Sequence, residues 1–264
     1  MTDSISILYG PAVKGAARGA AFMVTPVSDG FDLHSELAGA VRDASGAWRF
    51  VRLFAARYAR PIVAGDGCGD EELRAAEARL GFPLPAALRE VYALIGRRLD
   101  LTRSQNRLLA PHLVDVDDTG QVLVFRWECQ HVAEWGIPLS AVTQPDPPVV
   151  SRYDGAPVWH PFLDRVSLAC VEMILSEWII AGEGFGANLE LEDEAVALVA
   201  TRFRRLPLPD YPRWADAPPV RWFEGPGAIL CEDAQTWLWA RAPSADGIAA
   251  VQRALPGEWS TDEG

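Results

Sequence analysis

Residues 70–96, DEELRAAEARLGFPLPAALREVYALIG, leave a folded chain few choices. Leu73, Ala76 and Leu80 recur at a spacing near 3.6 and share one helical face. Gly81 stands where a left-handed C-terminal cap is needed, and Pro83 forbids continuation. Pro85 suits the first turn of a second helix, whose apolar stripe is Leu88, Val91, Tyr92 and Ile95, closed by Gly96. The pattern predicts two short helices joined by a tight corner. It constrains the fold and carries no chemistry by itself.

The rest of the chain divides around this corner. Residues 1–34, rich in Gly, Ala, Ser and Thr, show no sustained period and read as either a short strand at 4–9 or a tail. Residues 47–59 place Trp48, Val51, Phe54 (or Leu53) and Tyr58 on one helical face, with arginines opposite. Gly65–Gly69 is a turn. The runs 113–116 and 121–127 flank Asp117-Asp118-Thr119-Gly120, a hairpin signal. Residues 144–149, which carry Pro145, Asp146, Pro147 and Pro148, read as the end of the sheet region, and 167–180 as a long apolar helix packed on it. Residues 35–182 therefore read as the main domain. From 183 the composition shifts: GEGFGAN reads as a flexible joint, 189–206 as a helix, and 207–219 as a proline-rich linker, making 183–219 a connecting segment. Residues 220–264 then read as three short antiparallel strands and a helix capped by Ser244, a small ββα unit.

At 264 residues, with almost half of them apolar, the chain can build one large core or two modest ones. Net charge is −12, which argues against nucleic acid as a partner and suits a basic protein approached by electrostatic steering. Only Lys14 is lysine, against 23 arginines, a bias that points to a GC-rich genome. Cys68, Cys129, Cys170 and Cys231 form no CxxC pair and read as reduced, mostly buried thiols, consistent with a cytoplasmic location. No signal-peptide pattern is visible, and the longest apolar stretch is interrupted by Glu172 and Glu177, so no membrane span is expected.

Several motifs occur in an order that resembles the SUKH superfamily, which takes in Smi/Knr-type cell-wall regulators, the Syd protein and many bacterial immunity proteins. An acidic helix ends in Glu77-x-x-Leu80-Gly81, followed by Leu84-Pro85, Leu88-Arg89-x-x-Tyr92 and Gly96. A strand runs into Glu128-Cys129-Gln130, with Trp135-Gly136-Ile137 after it; Cys129 stands where the family motif carries Asn. Asp146-Pro147-Pro148-Val149 and a Trp159 before the apolar helix also fit. The resemblance covers roughly residues 69–181. The elements read as an α+β fold, a mostly antiparallel sheet with helices gathered on one side plus a C-terminal ββα extension, and the resemblance implies a role in protein binding without catalysis.

Candidate chemistry is sparse. His34, His112, His131 and His160 are scattered, and Cys129-x-His131 lacks the further ligands a zinc site needs, reading instead as a buried thiol beside a surface histidine. No Gly-x-Ser-x-Gly elbow or phosphate loop is present. Gly182-x-Gly184-x-x-Ala187 follows a helix and so is no dinucleotide turn. Glu190, Glu192, Asp193 and Glu194 are explained by a helix N-terminus. No catalytic residue, metal site or cofactor is therefore expected. Trp178 and Trp222 read as core. A partner surface is expected around Asp115, Asp117 and Asp118 of the hairpin and Glu128, Gln130, Glu134 and Trp135 beyond the next strand, with Trp135 reading equally as a core side chain or as an anchor on a solvent-facing loop. The resemblance to the SUKH superfamily implies an immunity protein that neutralises a cognate toxin, such as a nuclease or a deaminase, and the acidic charge fits a basic nuclease. The alternatives are a Smi/Knr-type regulatory scaffold and, further off, an enzyme with an unrecognised acid pair.

Overall fold

The computed structural model describes residues 30–153, 156, 158–213 and 217–262. The expected strand or tail at 4–9 lies outside them. The described residues open with a helical hairpin, α1 (Leu33–Arg42) and α2 (Ala44–Tyr58). Each helix begins on an aspartate: Asp32 accepts the N–H groups of His34 and Ser35, and Asp43 that of Gly46. The core face of α2 is Ala47, Phe50, Val51, Phe54 and Ala55, so Trp48 and Tyr58 lie at its margins.

The αα-corner is present as α3 (Asp70–Leu80) and α4 (Ala86–Ile95), with Gly81 in the left-handed conformation at φ +82°. Glu77 ties the corner together. Its carboxylate accepts the Leu84 N–H at 3.1 Å and pairs with Arg89 at 3.0 Å. Tyr92 is fully buried and donates its hydroxyl to the Leu109 carbonyl at 2.7 Å. A short α5 (Leu99–Thr102) follows.

The first sheet is wholly antiparallel. It contains β1 (Asn106–Leu108), β2 (Asp115–Val116), β3 (Val122–Glu128), β4 (Ala133–Pro138), β5 (Val149–Tyr153) and β6 (His160–Leu163). Its order is β1-β3-β4-β5-β6, with β2 paired beside β1 on β3. The hairpin forms as expected, with Asp115 opposite Val124 and Gly120 at φ +70°. The sheet does not end at 144–149, however, because β5 and β6 extend it. That proline-rich stretch links helices instead: the Pro145 carbonyl accepts from Ala87 N, and Asp146 accepts from Ser167 N and Oγ at 2.9 and 2.5 Å.

Ser167 lies in the first turn of α6 (Val166–Ala181), a helix buried almost all round. Helices α2, α4 and α5 pack on it, as do β1 and β6 of the first sheet. The second sheet also lies against it, and all its pairs are antiparallel: β7 (Phe185–Glu190), β8 (Arg204–Arg205), β9 (Tyr211–Pro212), β10 (Pro219–Gly225), β11 (Ala228–Asp233), β12 (Trp237–Ala242) and β13 (Ser260–Asp262). Its order is β13-β7-β12-β11-β10-β8, with β9 also on β10.

This sheet corrects the expectation for 183–219. The supposed joint is the tight entry to β7, a strand flanked by β12 and β13. Gly184, at φ +107°, passes so close to the next strand that a Cβ would sit 2.4 Å from the Ala242 carbonyl oxygen. The expected helix at 189–206 is α7 (Asp193–Arg202) alone, and the stretch read as a linker supplies β9. Helices lie on both faces of this sheet. Ile229 and Cys231 face the α6 core, whereas Ala228 and Leu230 join α7 and α8 (Ala245–Ala254) in a second core. Ser244 caps α8 by accepting from Gly247 N. The fold is α+β, with antiparallel sheets flanked by helices. Among the described residues no helix is long and apolar enough to cross a membrane.

Candidate functional site

The acids of the β2–β3 hairpin do not share one environment. Asp117 folds back into the turn: its carboxylate accepts the N–H groups of Gln121 and Val122, the Thr119 hydroxyl and the Trp159 indole N–H. Its side chain has 0% exposure. Burial alone would raise its pKa, but these donors bring it down to about 2. Asp117 is a turn-building residue and offers no free carboxylate to a partner. Asp118 and Asp115 are exposed, and both meet arginines, at 3.1 Å from Arg152 and 3.5 Å from Arg79.

Arg152 on β5 gathers the remaining acids. It bonds Glu134 at 2.5 Å and Asp118, and it stacks 4.7 Å from the centre of the Trp159 ring. The hairpin acids and Glu134 therefore come together, but around a resident cation that neutralises much of their field. Glu128 stands apart, at the far end of β3. It is buried and accepts from Gln105 Nε2, the Gln130 N–H and the Cys129 thiol. Gln130 is exposed. Cys129 is exposed rather than buried, the one such case among the four cysteines, and burial of its sulfur beside Glu128 pushes its pKa up to about 11. A thiol so protonated is a poor nucleophile at neutral pH.

Trp135 is not on a loop. It lies within β4, opposite Arg126 on β3 and Ser151 on β5, and is 5% exposed. The surface-anchor expectation fails there because the segment after Glu128 turns at His131, in the left-handed conformation, and pairs again at once. Trp178 and Trp222 are core residues, as expected.

What the sequence reading missed lies at the seam between the two sheets. Glu172 of α6, 4% exposed, accepts from Arg126 at 2.6 Å, from the Tyr211 hydroxyl at 3.3 Å and from Ser176. The Trp222 indole in turn donates to the Tyr211 oxygen at 2.8 Å. One carboxylate thus joins β3 of the first sheet to β9 and β10 of the second. Arg126 also stacks 4.3 Å from the centre of the Trp135 ring. Burial raises the Tyr211 pKa well above its ordinary value, so the hydroxyl stays a donor. Beside this network lies a cavity of about 30 Å³, walled in part by Trp135, Phe162, Tyr211 and Trp239, with Asp233 of β11 and Arg213 on its rim. The Arg213 Nε sits 3.4 Å from Asp233. The sequence signal was present in the charged residues set within apolar runs, Arg126, Glu172 and Asp233, but nothing local brings them together.

Two further buried ions serve α6. Glu177, fully buried, accepts the N–H groups of Ser104, Gln105 and Asn106; burial raises its pKa and these bonds oppose the rise. Arg241 of β12 donates to the carbonyls of Ile179, Ile180 and Gly182 and so satisfies the C-terminus of the helix. Among the described residues, no group of three or more His, Cys, Asp or Glu side chains is placed to hold a metal ion. Comparison with protein-family models, curated proteins and solved structures finds no match. Nothing in these comparisons bears on the resemblance of residues 69–181 to the SUKH superfamily.

Proposed function

We propose that this chain is a non-catalytic binding protein, an immunity protein that neutralises a basic cognate toxin. The observation that carries the reading is an uncompensated acidic face. Glu190, Glu192, Asp193 and Glu194 are exposed around the start of α7, and none forms an ion pair among the described residues. The hairpin acids, by contrast, are already held by Arg79 and Arg152. An excess of twelve negative charges in the whole chain gives this face a long-range field. A nuclease is a fitting target, since a site that attracts phosphate must be basic. The ordered SUKH-like motifs support the same role.

The test is stopped-flow binding to a basic toxin, sought first among the products of the neighbouring genes. The association rate should fall markedly between about 50 and about 500 mM salt, as the Debye length shrinks from about 14 to about 4 Å. Charge reversal of Glu192, Asp193 and Glu194 to lysine should slow association with little effect on dissociation, and reversal of Asp118 should do less. A salt-independent association rate would sink the steering argument. Absence of any complex would remove the toxin reading and leave a regulatory scaffold of the Smi/Knr type.

A further inference from the structure

We propose that the groove between α2, α4 and the loop 62–67 is a binding site for a free α-amino acid with an apolar side chain. The groove has a volume of about 570 Å³, within the span of about 300–1,000 Å³ usual for small-molecule sites. Trp48 and Arg52 line it from α2, Glu90 and Leu94 from α4, and Ile62 and Val63 from the loop. None of these residues belongs to the acidic face at α7, and the site does not rest on the toxin reading.

The walls are fixed by their own contacts. Asp66 holds the loop: its carboxylate accepts the Val63 N–H at 2.9 Å and two bonds from Arg60 at 2.9 and 3.1 Å. Gly67 lets the loop press on α4, because a Cβ there would sit 1.7 Å from the Ala93 carbonyl oxygen. The Trp48 indole donates to Glu90 Oε2 at 2.5 Å and fastens α2 to α4. Walls held in this way spare a ligand the cost of ordering them.

The chemistry changes along the groove. Trp48 and Arg52 lie one turn apart on α2, which leads to the loop, and Glu90 lies one turn before Leu94 on α4. The loop meets the far end of α4, where Cys68 N donates to the Tyr92 carbonyl and Arg97 N to that of Asp66. Both charges therefore stand on the Trp48 side, ahead of the loop. The loop side is apolar, and Val63 is left 58% exposed there. Arg52 and Glu90 are exposed, and among the described residues neither forms an ion pair. Glu90 keeps Oε1 for a second donor after accepting the indole through Oε2.

A ligand carrying one charge would leave Arg52 or Glu90 unanswered. A zwitterion answers both, its ammonium at Glu90 and its carboxylate at the Arg52 guanidinium, which takes carboxylates through paired N–H donors. In an α-amino acid the two charges share one end and the side chain projects away from them. The groove has that order, with charges beside Trp48 and apolar surface at Val63. A peptide, with its charges at opposite ends and its side chains between, does not match it.

The test is calorimetric titration of the full chain with L-leucine and L-phenylalanine. Leucinamide and N-acetyl-L-leucine, which lack the carboxylate and the ammonium in turn, are titrated beside them. At least one of the two amino acids should bind saturably, at one site per chain. Arg52→Gln and Glu90→Gln should each weaken that binding at least about tenfold, the loss expected for one charge-assisted contact. Leucinamide should bind more weakly than leucine and be indifferent to Arg52→Gln. N-acetyl-L-leucine should also bind more weakly and be indifferent to Glu90→Gln. If a variant fails to fold, the wild-type affinities for the two analogues decide alone. Binding of neither amino acid, or equal binding of leucine and both analogues, would overturn the site. Tighter binding of the dipeptide Leu-Leu than of leucine would overturn the free amino acid as its occupant.

Discussion

At the residue scale, Trp135 and Asp117 illustrate how one residue type takes its role from its neighbours. Trp135 packs edge-on to Phe162, with ring centres 6.1 Å apart, and under the Arg126 guanidinium. Trp135→Ala should therefore destabilise by about 3–5 kcal/mol, read as a lowered urea midpoint, and leave the toxin dissociation rate near wild type once the folded fraction is matched. A faster dissociation without lost stability would return Trp135 to the surface. Asp117 and Asp66 govern acid sensitivity. Asp66 is held at about 2 by hydrogen bonds from Arg60, then by the Val63 N–H, with Arg98 adding to them. Both folded values lie below the ordinary 3.8, so their stabilisation is present above about pH 4 and is lost as pH falls toward 2. Denaturant titrations at pH 7, 4 and 2.5 should show that loss, and Asp66→Asn should flatten its slope. An unchanged slope would mean that other carboxylates carry the acid transition.

At the element scale, the αα-corner rests on Tyr92, which fills the core and ties α4 to the chain entering the first sheet. Tyr92→Ala should cost about 3–5 kcal/mol through lost burial and a cavity. Tyr92→Phe removes only the bond to Leu109 and should cost about 1 kcal/mol. Equal urea midpoints for the two variants would show that the ring contributes nothing to packing. This element was fully legible in the chain, because helix period, Gly81 and Pro83 act within a few residues of each other. Strand β7 was not. GEGFGANLE carries three glycines and no strict alternation, and its 185–190 portion is a strand because β12 and β13 lie on either side of it.

At the scale of the whole molecule, α6 makes the two sheets interdependent. Leu206, Tyr211, Trp222 and Cys231 of the second half belong to the same core as Phe54, Tyr92 and Trp178 of the first. The chain should therefore unfold in one transition, with coincident midpoints by tryptophan fluorescence and far-ultraviolet circular dichroism. Truncation after Gly182 would strip the second sheet from α6 and leave Glu172 without Tyr211. The shortened chain should bind a hydrophobic dye and lose its near-ultraviolet signal. A cooperatively folded, non-aggregating fragment would show that the halves are separate domains.

Local chemistry was enough to specify the corner, the 115–124 hairpin, the apolar α6, the β10–β12 strands and the α+β class. Each depends on periodicity, caps and turn residues that act over a few positions. Tertiary structure alone decided that the first sheet continues past 149 and that 183–219 belongs to a second sheet. It also buried Trp135 and Glu128 and, among the described residues, left the acids at α7 rather than those of the hairpin without ion pairs. The reason is physical: strand pairing and the burial of a charge are settled by partners far along the chain. Arg126 and Glu172 are separated by 46 positions, and Arg241 and Ile179 by 62. No window of sequence short enough to read by pattern contains both halves of either contact.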